Sequence, residues 1–514
     1  VTNPASHLKS EGIKAVNHGN AASCSAQTLL HELAGFKKTC SADAPDISLE
    51  RILSEVTDCR IIKKNIRRQV YSLQTPLGNY FLKIIILVRF KDRLRHFLLP
   101  FRKWTEWRNI HRLRAARIDV AQALIRGADQ RQKPKKYFIL TAKVDGTPFQ
   151  PGCAADLKKV GEFLAYLHSR GIYHADLHPA NIIIKPDHQP CLIDTQQVYR
   201  LPLIPRWLRI YNLGKIFTHL HRLPDNHSLL EQFLRSYNRG QKKPVSVSEL
   251  IAAMSHHRRR RYRSRTKRCF KNSTDFVVIR QSKLRGFKRR DFVWEERDLR
   301  HALNEGQILK PNRVITFKNV CIKIHAKKNF FHQNRCRTSW KMSRALEIRG
   351  VLTPRSLGYF KLDGNYLFLS EFIANSTHLN EYLSSITSGC QKRRALKDLA
   401  VWLKQIHCKH VWQKDFKSTN VLCRQGRYYL LDLESVKIRR LSEKQKIVNL
   451  AQLNASLSNA VSAKDRLRFF YYYSAQDYPL RQKRREIYRQ VWDITRTKTT
   501  RFYNLDPEKL IQNR

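Results

Sequence analysis

The sequence predicts an α+β fold written twice along the chain, strands leading and helices following in each copy. Two observations carry that reading. Between Arg60 and Thr141 short apolar runs are punctuated by turn residues, whereas from Leu157 the apolar spacing turns helical. The triplet Asp176, Asn181 and Asp194 also returns as Asp415, Asn420 and Asp432, offset by 239, 239 and 238 residues. Lys83 and Lys323 stand 240 apart, and Asn212-Leu-Gly-Lys-Ile216 and Asn449-Leu-Ala-Gln-Leu453 stand 237 apart. With Ser339-Trp340 standing 233 after Glu106-Trp107, the offsets drift only from 240 to 233 and back to 237, which means a duplicated domain, with the junction near Gly240-Gln-Lys-Lys-Pro244. The expected division is a poorly ordered tail over 1–45, a first domain over 46–244 and a second over 245–514.

In chain order, the tail is rich in Ala, Ser, Asn and His, with one short helical pattern around Thr28–Ala34. Ile61-Ile62, Val70–Leu73 and Tyr80–Ile84 read as hairpin strands about a Thr75-Pro-Leu-Gly-Asn79 turn. Lys83 inside the last of them suits either a solvated sheet face or a grip on a phosphate. Ile85–Leu99 interleaves cations with bulky apolar residues, which fits an interfacial helix or a basic helix packed on its own domain. Lys103 to Ile118 has helical spacing, Val120–Leu124 and Lys136–Thr141 read as strands, and Asp145-Gly146 reads as a turn. The stripe Val160, Phe163, Leu164, Tyr166, Leu167 marks an amphipathic helix closed by Gly171. Asn212–Leu220 and Ser228–Tyr237 supply further helices. The basic run His256–Arg268 opens the second copy as a nucleic-acid or localisation patch, a phosphorylated-lipid contact or a solvated helix.

Composition narrows the classes. At 514 residues with 42% hydrophobic content the chain has room for two or three cored domains. Lys and Arg number 98 against 41 Asp and Glu, a surplus of +57 that implies an anionic partner: nucleic acid, phosphorylated lipid or an acidic membrane surface. Eleven scattered cysteines without a C-x-x-C pair argue against a zinc ribbon and suit free thiols. Val1–Asn20 lacks the apolar core of a signal peptide, and no run is long enough to cross a bilayer. The expectation is a cytoplasmic protein, soluble or peripheral on a membrane.

Phosphoryl transfer needs a carboxylate facing the attacking hydroxyl, and an amide with a second carboxylate holding magnesium on the phosphates. Asp176, Asn181 and Asp194, on a loop and hairpin around Ile182-Ile-Ile184, bring that set together. D-x-x-x-x-N alone is a weak pattern. Its recurrence at Asp415, Asn420 and Asp432 strengthens it.

In this order, strand Lys, helix Glu, D-x-x-x-x-N and Asp resemble the protein-kinase-like fold. The resemblance implies two tandem bilobal domains, each a small antiparallel-sheet N-lobe plus a helical C-lobe. It implies that Lys83 holds the α- and β-phosphates of ATP and that Glu106 orients it by an ion pair. Asp176 would take or align the hydroxyl proton, and Asn181 and Asp194 would bind Mg2+. His174 reads as a packing and hydrogen-bonding residue. Three departures shift the acceptor away from polypeptides. Gly78 is the only glycine between Arg60 and Lys83, so a glycine-rich phosphate loop is missing. Ala175 precedes the catalytic Asp where arginine is usual. The segment after Asp194 is short and lacks A-P-E.

Closer still, the chain resembles the lipopolysaccharide kinases that phosphorylate Kdo or heptose of the inner core. Glu106-Trp107 with Ile118, His174-x-Asp176, Asn181, Ile193-Asp194 and the basic surface carry this, as do Gln413–Leu422 and Leu430–Glu434 in the second copy. The resemblance implies a lipopolysaccharide core or lipid A-linked sugar as acceptor. It also implies peripheral attachment to the anionic inner membrane of a Gram-negative bacterium, on its cytoplasmic face. The second copy keeps Lys323, Asp415, Asn420 and Asp432, which makes Asp415 its catalytic candidate. It has Ser339 for Glu106 and Gln413 for His174, so the usual lysine–glutamate pair is not expected there. Rival readings are a protein kinase, a catalytically weak lipid- or partner-binding pseudokinase, and a nucleic-acid binder. The last lacks a recognisable nucleic-acid-binding fold.

Overall fold

Alternation along Gly78–Ile86 becomes a strand with Tyr80, Leu82 and Ile84 buried on one face while Lys83 points to the other. In the computed structural model the described residues are 25–44, 47–88, 104–129, 136–218, 226–311, 313–325, 330–459, 461–475 and 478–503. The basic stretch from Arg89 to Phe101 lies outside them. The chain divides into two units, residues 1–258 and 259–514. The division falls inside the helix Val247–Lys267, beyond the Gly240–Pro244 segment where the junction was expected.

The lysine strand of the first unit is internal to a six-stranded sheet, paired with Lys136–Ala142 on one side and Arg68–Thr75 on the other. Asp58–Asn65 closes one edge. The opposite edge corrects part of the expectation of a poorly ordered tail over 1–45: the short helix expected around Thr28–Ala34 is there, but a strand follows it, and residues 1–24 lie outside the described residues. Residues 26–33 form a helix and Phe36–Cys40 pairs antiparallel with Ala123–Asp129. Leu29, Leu33 and Phe36 reach the sheet core beside Leu73, Leu82 and Phe138. Few apolar residues were needed, and their spacing was hidden by the polar residues around them.

The helical part is built on Ala154–Ser169. Leu157, Val160, Leu164 and Leu167 fall on one face and are fully buried, each adding roughly 1.5–3 kcal/mol of burial. Phe163 and Tyr166, expected on the same stripe, are half-buried at its border. Gly161 lets the helix Asn226–Tyr237 approach closely, since a Cβ there would come within 2.9 Å of the Phe233 carbonyl oxygen. Gly171 ends the helix at φ +71, where a Cβ would meet the Leu201 carbonyl at 2.1 Å. The chain then enters Ile172–His174, which pairs with Val198–Arg200. Between these strands lies the hairpin Ile182–Ile184/Pro190–Leu192.

The second unit repeats this plan with a seven-stranded sheet in which Val320–His325 takes the lysine strand's place. A hairpin, Phe276–Arg280/Leu284–Arg289, stands where the first unit has one edge strand. Both units therefore have an antiparallel sheet followed by a helical lobe, the protein-kinase-like arrangement. The basic run His256–Arg268 lies mostly on Val247–Lys267, where His257 is buried and its Nε2 donates to the Tyr211 carbonyl at 2.6 Å. Among the described residues no helix is long and apolar enough to cross a membrane, and every cysteine is a free thiol.

Candidate active site

In the first unit the sheet, the helix Thr105–Ala115 and the turn after Leu192 bring three predicted residues together. Lys83 Nζ donates to Glu106 Oε1 and, at 3.1 Å, to Asp194 Oδ1. Glu106 is buried because Trp107, Ile110 and Leu113 pin its helix to the core. Asp194 adopts the left-handed conformation, φ 54 and ψ 57, which turns its carboxylate back toward the lysine. Thr195 Oγ1 donates to the Glu106 carbonyl at 3.3 Å, and Asn109 Nδ2 donates to the Thr195 and Val198 carbonyls at 2.8 and 3.0 Å. Helix and turn are thus fastened to each other beside the lysine. Burial pushes the Asp194 carboxyl up, but Lys83 and Arg68 outweigh it and hold its pKa below the usual carboxylate range.

Arg68 is a residue the motif reading missed. Its Nη2 lies 3.4 Å from Asp194 Oδ1. It comes from the tip of the hairpin Asp58–Asn65/Arg68–Thr75, where a protein kinase has its glycine-rich loop. The Asn65 side-chain oxygen accepts from the Arg67 and Arg68 amides at 3.0 and 2.9 Å, so an Asx turn does the bending without glycine. Counting glycines hid this; the basic Lys63-Lys64-Asn65-Ile66-Arg67-Arg68 tip was the available signal.

The loop carrying Asp176 is held from beneath by its own backbone. Asn181 Nδ2 donates to the Asp176 carbonyl at 3.0 Å, and the Asp176 amide donates to His174 Nδ1 at 3.2 Å. The Asp176 residue itself is exposed. Asn212 Nδ2 donates to the His174 carbonyl at 2.8 Å, and its Oδ1 accepts from His168 Nε2 at 3.1 Å. His168 Nδ1 in turn meets the Tyr237 hydroxyl at 2.8 Å. The second unit repeats this network. His407 pairs with the Tyr473 hydroxyl at 2.6 Å and with Asn449 Oδ1 at 3.3 Å, and Asn449 Nδ2 donates to the Gln413 carbonyl at 2.8 Å. Asn212 and Asn449 were read as a repeat; the histidines were missed, although His168 and His407 stand 239 apart like Asp176 and Asp415, which was the available signal.

Burial pushes the His168 and His174 pKa values down to about 4 and that of His407 to about 3. These rings are neutral in the fold, which fits the acceptor role of His174 Nδ1 better than proton shuttling. Their depressed values have a consequence for acid stability. As pH falls below about 6.5 the unfolded chain takes up these protons first, so stability is lost between about pH 6.5 and 4. The slope is roughly 1.4 kcal/mol per pH unit for each such ring. Melting temperature should therefore drop steeply over that window, and His168→Gln should flatten the drop. An unchanged melting temperature from pH 6.5 to 4.5 would overturn the buried-neutral assignment.

The second unit brings Lys323 Nζ within 3.0 Å of Asp432 Oδ1. Asp432 repeats the left-handed conformation at φ 51. Asn420 Nδ2 donates to the Asp415 carbonyl at 2.9 Å, as in the first copy, and Lys417 pairs with the Asp415 carboxylate at 2.9 Å. Gln413, in the place of His174, donates to the Leu431 carbonyl at 2.9 Å. The usual pair with a helix glutamate is absent, as expected, but Lys323 is not without a carboxylate partner besides Asp432. Ser339 does occupy the helix position, buried beside Trp340, but Glu434 Oε1 accepts from Lys323 Nζ at 2.8 Å.

The characteristic pattern of the lipopolysaccharide kinase (Kdo/WaaP) family matches residues 60–237 and again 319–473, together more than half of the chain. A shorter similarity links the chain to a probable bifunctional tRNA threonylcarbamoyladenosine biosynthesis protein of Methanosarcina barkeri (strain Fusaro / DSM 804), 32% identical over 97 residues. That stretch covers 19% of this chain and 17% of the archaeal protein. With two family segments, each containing one Lys–Asp cluster and one Asp–Asn loop, the chain belongs to the lipopolysaccharide kinase (Kdo/WaaP) family.

Proposed function

We propose that the first unit transfers the γ-phosphoryl group of ATP to a sugar hydroxyl, of Kdo or heptose, in the lipopolysaccharide inner core. The observation that carries this is the Lys83–Glu106–Asp194 cluster beside the Asp176–Asn181 loop in a chain of this family. Lys83, held by Glu106, binds the α- and β-phosphates, and Arg68 at the hairpin tip adds a second cation facing the same space. Asp176, exposed on a fixed loop, aligns the acceptor hydroxyl and takes its proton. The hydroxyl oxygen then bonds to the γ-phosphorus, the bond from that phosphorus to the bridging oxygen breaks, and ADP leaves.

The residues fit magnesium. Asn181 spends its amide nitrogen on the Asp176 carbonyl, leaving the side-chain oxygen as a hard metal ligand, and the Asp194 carboxylate is a second. Among the described residues no group of three or more His, Cys, Asp or Glu could hold a metal, and magnesium on a nucleotide needs only one or two carboxylates plus phosphate oxygens. When bound, it neutralises charge on the β- and γ-phosphates.

Transfer from ATP to a lipid-anchored acceptor belongs, on this reading, at the cytoplasmic face of a Gram-negative inner membrane. Supporting this, the segment after Asp194 exposes Tyr199, Leu203 and Trp207, the last two at 81% and 67%, beside Arg206 and Arg209. In the second unit the helix at the corresponding place starts Glu443-Lys-Gln-Lys446, with no such aromatic. Each cation near an anionic surface contributes roughly 1 kcal/mol, screened within about 10 Å at 0.1 M salt. Retention on anionic vesicles should fall steeply with salt and fall further in Leu203→Ser/Trp207→Ala. Equal retention on neutral and anionic vesicles would reject this attachment. The activity itself is tested by ATP turnover with core lipopolysaccharide against peptide and RNA controls. Transfer to peptide would favour a protein kinase, and nucleotide binding without transfer would favour a binding module.

A further inference from the structure

We infer that the second unit contains its own magnesium-nucleotide site, completed by Glu434 as the positioning carboxylate for Lys323. The inference rests on reading the lysine, asparagine and aspartate constellation as a nucleotide site. It goes beyond that reading in naming a residue outside the familiar motif and a second place where nucleotide binds.

A lysine in a strand is useful to phosphates only when a carboxylate fixes where its ammonium sits. In the first unit Glu106 does this from the helix Thr105–Ala115. In the second, the corresponding helix Phe330–Ile348 presents Ser339, and Trp340 Nε1 donates to the Cys269 carbonyl at 3.0 Å, which locks that helix register. The carboxylate has moved to the turn after Asp432. The left-handed Asp432 and the following 3-10 turn Leu433–Ser435 aim both Asp432 and Glu434 at one ammonium, at 3.0 and 2.8 Å. His325, two residues along the strand from Lys323, lies 3.8 Å from Glu434 Oε2. The first unit has Gln196 at the place of Glu434. Each unit thus has one positioning carboxylate, supplied from different elements.

A structural ion pair would also place Glu434 on Lys323. What separates the two is nucleotide binding. Lys323, Asn420 and Asp432 would have no reason to respond jointly to nucleotide in a purely structural cluster. The relocation also predicts a difference in control. Glu106 is carried by the helix Thr105–Ala115, whereas Glu434 and Asp432 share one short turn, so the second lysine pair does not depend on a helix position.

The test is calorimetric titration of the full chain with magnesium and AMP-PNP. The expected result is two binding sites in the parent chain. Glu434→Gln should weaken one of them by about 10- to 100-fold, the range for losing a hydrogen bond to a charged group, and leave the other unchanged. Adding Ser339→Glu to Glu434→Gln should restore the weakened site, which a merely structural pair would not require. If the double variant fails to fold, the Glu434→Gln titration alone decides. One site in the parent chain, indifferent to Glu434→Gln, would overturn the inference while leaving the function of the first unit standing. No binding at either site would overturn the functional reading itself.

Discussion

Replacing Asp176 with asparagine is expected to lower phosphate transfer to core lipopolysaccharide by about 10²–10⁴-fold, the range for removing a positioned acid–base group. The fold should tolerate it. The contacts that hold the loop use the Asp176 backbone, whose carbonyl accepts from Asn181 and whose amide donates to His174 Nδ1, while the side chain points outward. Asp415→Asn, by contrast, should leave most transfer in place. The reason is not a missing lysine partner, since Glu434 supplies one. It is the acceptor side: the first unit exposes Leu203 and Trp207 after its Asp194, and the Asp415 carboxylate is engaged by Lys417 at 2.9 Å. Single-turnover rates of both variants on the same lipopolysaccharide, with folding checked by circular dichroism, test this. Equal losses would mean that both units transfer phosphate, and a larger loss from Asp415→Asn would place the main site in the second unit.

What the sequence revealed and what it hid divide along a physical line. Strand alternation and helical spacing place Lys83 and Glu106 on their elements, but that they meet Asp194, which lies in a left-handed turn, could be expected only from the resemblance to the protein-kinase-like fold. The duplication added the second set without further assumptions. Arg68 and Glu434 were not legible, because each reaches its partner through a turn. An Asx turn at Asn65 and a left-handed Asp432 decide where those side chains go, and neither conformation leaves a periodic mark. The edge strand Phe36–Cys40 was hidden for a related reason. Only Phe36 of its five residues is buried, so the hydrophobic pattern is too sparse to announce a strand that pairing with Ala123–Asp129 nevertheless fixes. Ser339 misled in the opposite sense: the helix register was read correctly, but the carboxylate had left the helix.

Replacing Asp194 is expected to have the other large effect, and the backbone decides which substitution is informative. At φ 54 an alanine would add strain of its own, whereas asparagine accepts this conformation, keeps the shape and removes only the charge. Asp194→Asn leaves Lys83 with Glu106 and removes the carboxylate that both Lys83 and Arg68 face. It also turns the charged one of the two oxygen ligands assigned to magnesium into a neutral amide oxygen. Loss of one preorganised electrostatic contact commonly costs about 10²–10³ in rate, and here the ligand's charge and the balance of two cations go together. Transfer should therefore fall by at least about 10²–10³-fold. The buried network His168–Asn212–Tyr237 lies outside the change, so folding should persist in circular dichroism. EDTA should abolish parent activity reversibly, with recovery on adding magnesium. Full activity in excess EDTA, or wild-type transfer by Asp194→Asn, would remove the magnesium assignment from Asn181 and Asp194.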